Sequence, residues 1–305
     1  MPQIFPIGGG KGGSGKSFIT ANLGALIAKG GKKVVLVDLD LGGSNLHTLL
    51  GLHNPKTGLH DFLDKAFSDL AAAVVPTCIP NLYVITSSDC SMEIANLFYA
   101  QKLKIIRAIQ RLPFDYILLD LGAGTNFNTL DFFLISNVGL FVVTPEPTSI
   151  ENTFRFIKAA YYRKIKQILK QESIDPGEAD NGEGVVETKH LQSPSDFIDL
   201  ICRQNSEKGK ILRQRLSELH LKFILNQCRK QTDSCLGDKI QKVCNRHFHS
   251  RFQFLENVTY DERVHDAISS KKVFIDIYPH TPTAVALRNI AEKVAGNGHL
   301  AAAKA

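Results

Sequence analysis

Between Gly10 and Ser17 the chain reads Gly-Lys-Gly-Gly-Ser-Gly-Lys-Ser, the G-x-x-x-x-G-K-[ST] spacing of a loop that binds polyphosphate. Gly10, Gly12, Gly13 and Gly15, with Ser14 among them, leave room for main-chain N–H groups to wrap phosphate oxygens. A helix starting just after the loop turns its positive end toward the same charge. Lys16 is placed to reach the outer phosphates and the Ser17 hydroxyl to hold Mg²⁺. A second lysine, Lys11, lies inside the loop. The same glycines also satisfy G-x-G-x-x-G through Gly10, Gly12 and Gly15, with Asp38 then serving as the ribose carboxylate of a dinucleotide site. The Lys-Ser pair directly after the last glycine, and a cation within the loop, favour the triphosphate reading.

Two acidic strand ends complete the candidate chemistry. Asp115-Tyr116-Ile117-Leu118-Leu119-Asp120 is an apolar run closing in a carboxylate, with Gly122-Ala123-Gly124 just beyond. Beside a phosphate loop, Asp120 is placed to hold a water on Mg²⁺. The glycines let that backbone shift with the γ-phosphate. In Val34–Asp40, the i, i+2 spacing puts Asp38 and Asp40 on one side of an extended chain. One would orient the attacking water and the other the Mg²⁺ shell, because phosphoryl transfer needs position and charge neutralisation more than a strong base.

Short β-branched runs alternate with helical periods and supply the frame for these residues. Ile4–Ile7, Val34–Asp38, Leu82–Thr86, Tyr116–Asp120, Gly139–Thr144, Lys222–Asn226 and Phe252–Val258 read as strands, several apolar on both faces. Helical patterns cover Lys16–Lys29, Asn96–Arg111, Ile150–Lys170, Thr232–His247 and Thr281–Ala295. The alternation predicts one α/β domain over residues 1–305, a doubly wound, mostly parallel sheet with helices on both faces. Asp38, Asp120 and Asn226 end strands, so they should converge on the phosphate loop. From about Gln171 to Ser195 six acids stand against one base, with Pro, Gly, Asn and Ser interspersed. An insertion at about 171–220, a flexible acidic loop plus a helix, and a loose tail at 296–305 are expected.

Taken together, these motifs resemble the MinD/ParA family of ATPases. Gly10–Ser17 with its early Lys11 is similar to that family's deviant phosphate loop, and Asp38-Leu39-Asp40-Leu41-Gly42-Gly43-Ser44-Asn45 to its first switch. Asp115–Gly124 is similar to its second switch, and Thr144–Thr148 to a turn after a later strand. Phe223–Gln227 resembles the strand whose terminal Asn226 reads adenine, and Tyr260–Val264 with Ala267 a segment near the base. Gly122 and Thr259 stand where the family often has proline. The resemblance implies an ATP- and Mg²⁺-dependent homodimer that sandwiches two nucleotides and hydrolyses them slowly until a protein partner stimulates it. Lys11 would touch the sister subunit's nucleotide, Lys16 the β/γ-phosphates, Ser17, Asp38 and Asp120 the Mg²⁺ shell, and Asp40 the hydrolytic water. A regulator of division-site or flagellar placement is the role implied. A DNA-partitioning ATPase and a scaffold without hydrolysis are the alternatives. An iron–sulfur carrier of the related Mrp type lacks the C-x-x-C pair it would need.

Composition narrows the setting. The 305 residues are 44% hydrophobic and 22% charged, the balance of an ordinary globular protein. No run approaches a membrane span, and a phosphate loop starting at residue 10 leaves no room for a signal peptide ahead of it, so a cytoplasmic protein is expected. Ala284, Leu287, Ile290, Ala291 and Val294 form a stripe suited to the sheet, and 296–305 lacks the bulky apolar and basic faces of an interfacial helix. No autonomous membrane tail is expected; contact with the membrane would come through a partner. Arg155, Lys158, Arg163, Lys164, Lys166 and Lys170, with Arg203, Lys208, Lys210, Arg213 and Arg215, offer basic helices for non-specific DNA contact.

Overall fold

Runs such as Val34–Leu39 and Tyr116–Leu121, apolar at nearly every position, are stable only where helices cover both faces. The computed structural model, which describes residues 2–53, 55–87, 97–172, 198–199, 201–203 and 205–296, puts them in the middle of one sheet. Its strands are β1 (Gln3–Gly8), β2 (Val34–Leu39), β3 (Val75–Pro76), β4 (Leu82–Ile85), β5 (Tyr116–Leu121), β6 (Val138–Val143), β7 (His220–Cys228) and β8 (Arg251–Thr259), in the order β3-β4-β2-β5-β1-β6-β7-β8. All neighbours are parallel except β3 against β4.

Pleating sends alternate residues to opposite cores. Val35, Val37, Ile117 and Leu119 pack beneath α3 (Leu59–Leu63), α4 (Tyr99–Ile109), α5 (Phe127–Phe133), α6 (Pro147–Gln171), α7 (Ser206–Ser217) and α8 (Leu236–His247). Val34, Leu36, Tyr116 and Leu118 pack beneath α1 (Lys16–Lys29), α2 (Leu46–Leu49), α9 (Arg263–Ser269), α10 (Phe274–Ile277) and α11 (Pro282–Ala295). The doubly wound sheet expected from the alternation is what forms.

β8 ends the sheet, and side chains occupy its outer edge. Asn245 of α8 accepts the Phe252 N–H (2.8 Å) and donates to the Phe252 carbonyl (3.0 Å), the pair of bonds a neighbouring strand would make. The Gln241 side chain accepts the Phe254 N–H at 2.5 Å, and Lys293 of α11 donates to the Leu255 carbonyl.

All seven expected strands and five expected helices form, with ends that shift by a few residues; the helix expected from Asn96 runs from Tyr99 to Ile109. Periodicity gives no sign of α2, α3, α9 and α10, which have four to seven residues each, too few to show a helical period. β3 has two residues, one of them proline, and stays at an edge as proline requires. Most of the acidic Gln171–Ser195 stretch and the tail beyond Gly296 lie outside the described residues.

Candidate functional site

α1 begins at Lys16, directly after Gly15 in the left-handed region (φ 91°), and no side chain caps it. Its first turn holds no acid, so its leading N–H groups are left for an anion. Packing explains two of the loop glycines. A Cβ on Gly10 would run into the Asn152–Thr153 backbone of α6, and one on Gly15 into the Asn226 side chain, while Gly12 and Gly13 face open space. The end of β7 pins the loop from beneath: Asn226 Nδ2 donates to the Ser14 carbonyl (2.8 Å) and Gln227 Nε2 to the Gly13 carbonyl (3.0 Å). The buried Ser14 hydroxyl has no partner among the described residues.

Strand register brings the acids together. Asp120 lies opposite Asp38 on β2 and Ile7 on β1, where β1 leads into the phosphate loop. Thr20, one helical turn beyond Lys16, donates to Asp120 Oδ1 at 3.2 Å. Burial, and then the Asp38 charge beside it, push the Asp120 carboxyl up to about 7, against hydrogen bonds from Ser17 and Thr20 and the charge of Lys16. Burial also lowers the Lys16 ammonium, which Asp120 and Asp40 oppose. Two buried carboxyls with one lysine are short of positive charge. A divalent cation held by Ser17 and Asp120 fits that deficit.

Asp38 is already engaged. Its Oδ2 accepts from the Ser44 hydroxyl (2.7 Å) and the Leu46 N–H (3.2 Å), and its Oδ1 from the Asp40 N–H (3.1 Å). These bonds fold the segment after β2 and set Asp40 at the cleft wall. A Cβ on Gly122 would come within 2.9 Å of Asp40 Oδ1. Glycine where the family often has proline therefore lets the two switch-like loops touch.

A cleft of about 600 Å³ opens above these groups, within the usual size of a small-molecule site. Gly12, Gly13, Gly15, Lys16, Ser17, Asp40 and Asn226 line it, together with Tyr260, Asp261 and His265. Asp38 and Asp120 lie buried below the lining. Arg229 stacks on Tyr260 with its guanidinium 4.4 Å from the ring centre. Lys11 sits apart: its Nζ is 2.6 Å from Glu146 Oε2 and 3.5 Å from Thr148 Oγ1, on the turn that starts α6. Sequence alone does not single out Thr20, Gln227 or the Lys11–Glu146 pair, although Thr20 stands a helical turn from Lys16 and Gln227 follows Asn226.

On the basic helices, Arg155 pairs with Glu151, Arg163 with Asp131, Arg213 with Asp199, and Arg215 with Glu172 and Glu218. Four of the expected DNA-facing cations are thus engaged by acids of the same chain.

Residues 6–274 match the profile of the CobQ/CobB/MinD/ParA nucleotide binding domain. The chain is 35% identical over 158 residues to the septum site-determining protein MinD of Helicobacter pylori, a stretch covering 52% of this chain and 58% of that protein. The match thus spans less than two thirds of that relative. The antiactivator FleN of Pseudomonas aeruginosa is 23% identical over 96% of this chain and 86% of its own length. The structure of MinD with Mg-ADP from Pyrococcus horikoshii superposes with a TM-score of 0.67 at 22% identity, covering 99% of both chains, which establishes the shared fold.

Proposed function

The chain belongs to the CobQ/CobB/MinD/ParA family of nucleotide-binding domains, and on that premise we propose that it is a slow, ATP-dependent dimerisation switch of the MinD/ParA type that positions a cellular structure. One observation carries the reading: an uncapped helix start, Lys16 and the under-neutralised Ser17–Asp120 corner meet at one end of the cleft. Lys16 and the loop N–H groups bind the β- and γ-phosphates, and Ser17 and Asp120 would hold Mg²⁺. When bound, that ion neutralises charge on the phosphate oxygens. Asp40 orients the attacking water, and Asp38 holds the loop that carries it. Asn226, pinned beneath the loop, also lines the cleft toward the base.

Lys11 is the cation offered to the sister subunit's nucleotide. Glu146 of its own chain competes for it, which favours a monomer until ATP arrives. Light scattering of Asp40→Ala with Mg-ATP and with Mg-ADP tests the switch. The mass should double with ATP alone, and an unchanged mass refutes the reading. A partner protein is expected to speed hydrolysis and to bring the dimer to its site of action.

The septum-site and flagellar relatives support a spatial regulator. The DNA-partitioning alternative needs free basic surface, and the ion pairs of Arg155, Arg163, Arg213 and Arg215 weigh against it. A salt-sensitive, ATP-dependent shift of non-specific DNA would reverse that choice. Among the described residues no helix is long and apolar enough to cross a membrane.

A further inference from the structure

Phe98 is 76% exposed, Tyr99 64% and Phe127 68%, the highest values among the large hydrophobic residues described. Their rings leave roughly 400 Å² in water, a patch size that on a monomer is often functional. Phe98 and Tyr99 open α4 and Phe127 opens α5, so both helix starts belong to the sheet edge that carries the cleft.

A single buried acid braces the two helix tips. Asp131 of α5 takes Lys102 from α4 and, through two bonds of 2.8 Å, Arg163 from α6. The Arg163 guanidinium lies 5.2 Å from the Phe127 ring centre and Lys102 Nζ 5.5 Å from that of Tyr99. The Phe98 N–H donates to Gln101 at 2.9 Å. Rings held on braced helix ends lose little freedom when they are covered. Cations outnumber acids on the described residues of α4 and its end. Residues 98–111 hold Lys102, Lys104, Arg107 and Arg111 and no acid, and Asp131 is buried between its two cations.

We propose that the Phe98–Tyr99–Phe127 surface docks the apolar face of an acidic amphipathic segment of a partner protein, and that this docking senses the bound nucleotide. The sensing clause rests on the switch reading above. Phe127 follows Asn126, whose side chain caps α5, at the end of the loop that leaves Asp120 and touches Asp40 at Gly122. Phe98 and Tyr99 stand on α4, outside that loop. Movement of the loop changes the spacing of the two halves, so an occupant favours one nucleotide state. Lys102 is taken by Asp131 and Lys104 by the Phe62 carbonyl, but Arg107 and Arg111 run on along α4 and its end, which suits an elongated acidic helix.

The full chain is titrated, by fluorescence anisotropy, with a helical peptide bearing leucines at i, i+3, i+4 and i+7 and glutamates on its flanks. A second peptide has lysines in place of the glutamates. The acidic peptide should bind the parent, and Phe127→Ser and the double variant Phe98→Ser/Tyr99→Ser should each weaken it at least tenfold. Binding of fluorescent ATP should be unaltered in both variants, which also reports that they are folded. Peptide affinity should differ at least threefold between ADP and a non-hydrolysable ATP analogue. No binding to the parent, equal binding of the lysine peptide, or parent-like binding by the variants overturns the proposal. Loss of the ATP-dependent dimer in Phe127→Ser would reassign the surface to the sister subunit. Co-sedimentation with anionic vesicles that disappears in the variants would reassign it to a membrane. Equal peptide affinity in both nucleotides removes the sensing clause alone. If the parent fails to bind ATP the switch reading falls, while the nucleotide-free titration still judges the surface.

Discussion

Binding of preformed Mg-nucleotide at pH 7 should expel about half a proton from the chain, with Asp120 as its source. Burial and the facing Asp38 hold that carboxyl at about 7, so at neutral pH half of the molecules carry the proton. A cation set against Ser17 and Asp120 favours the charged form, and the proton leaves. On the same reasoning the release is larger at pH 6 and smaller at pH 8. Calorimetric titrations in two buffers of different ionisation enthalpy give the count as a slope. Asp120→Asn should bring that slope close to zero.

The free chain supplies a second readout. Between pH 4 and 7 the folded state holds this proton and the unfolded state has lost it, so Asp120 makes stability fall as pH rises through that window. Between pH 6 and 8 the loss is on the order of 1 kcal/mol. The stability advantage of Asp120→Asn over the parent, measured by denaturant melts without nucleotide, should therefore grow by that amount. A parent slope of zero at pH 6 and 7, or an advantage that shrinks with rising pH, would refute the reasoning.

Gly10→Ala should cost about 1–3 kcal/mol of stability, because the added methyl meets the Asn152–Thr153 backbone, and denaturant melts would measure it. The same variant should bind fluorescent ATP at least tenfold more weakly, since α6 and the loop must part. Glu146→Gln removes the charge that holds Lys11 and should tighten the ATP-dependent dimer about two- to fivefold in sedimentation velocity; a weaker dimer would show that the pair assists assembly. Asp131→Asn strands the buried Lys102 and should cost about 3 kcal/mol in urea melts while fluorescent ATP binding stays as in the parent.

The loop was legible because Gly10–Ser17 is contiguous, and Asp38, Asp120 and Asn226 because each closes an apolar run. Strand ends in a parallel sheet meet at one edge, so their convergence could be argued before any coordinates. The occupation of Asp38 by Ser44, Leu46 and Asp40 was not legible, since it depends on how six residues of loop fold back on a carboxylate. Lys11–Glu146 spans 135 positions and Lys102–Asp131–Arg163 joins three helices; no local pattern announces such pairs. Gly122 could be marked as a departure, but the room it leaves for Asp40 is a property of two loops at once.

The amides of Asn245 and Gln241, by answering the outer N–H groups of β8, close the longer flank of the sheet along which copies could stack into a ribbon. A spatial switch of the kind proposed must gather at one place and then disperse. Sealing that flank disfavours open-ended stacking of strands while leaving the proposed nucleotide-governed pairing free to form and dissolve.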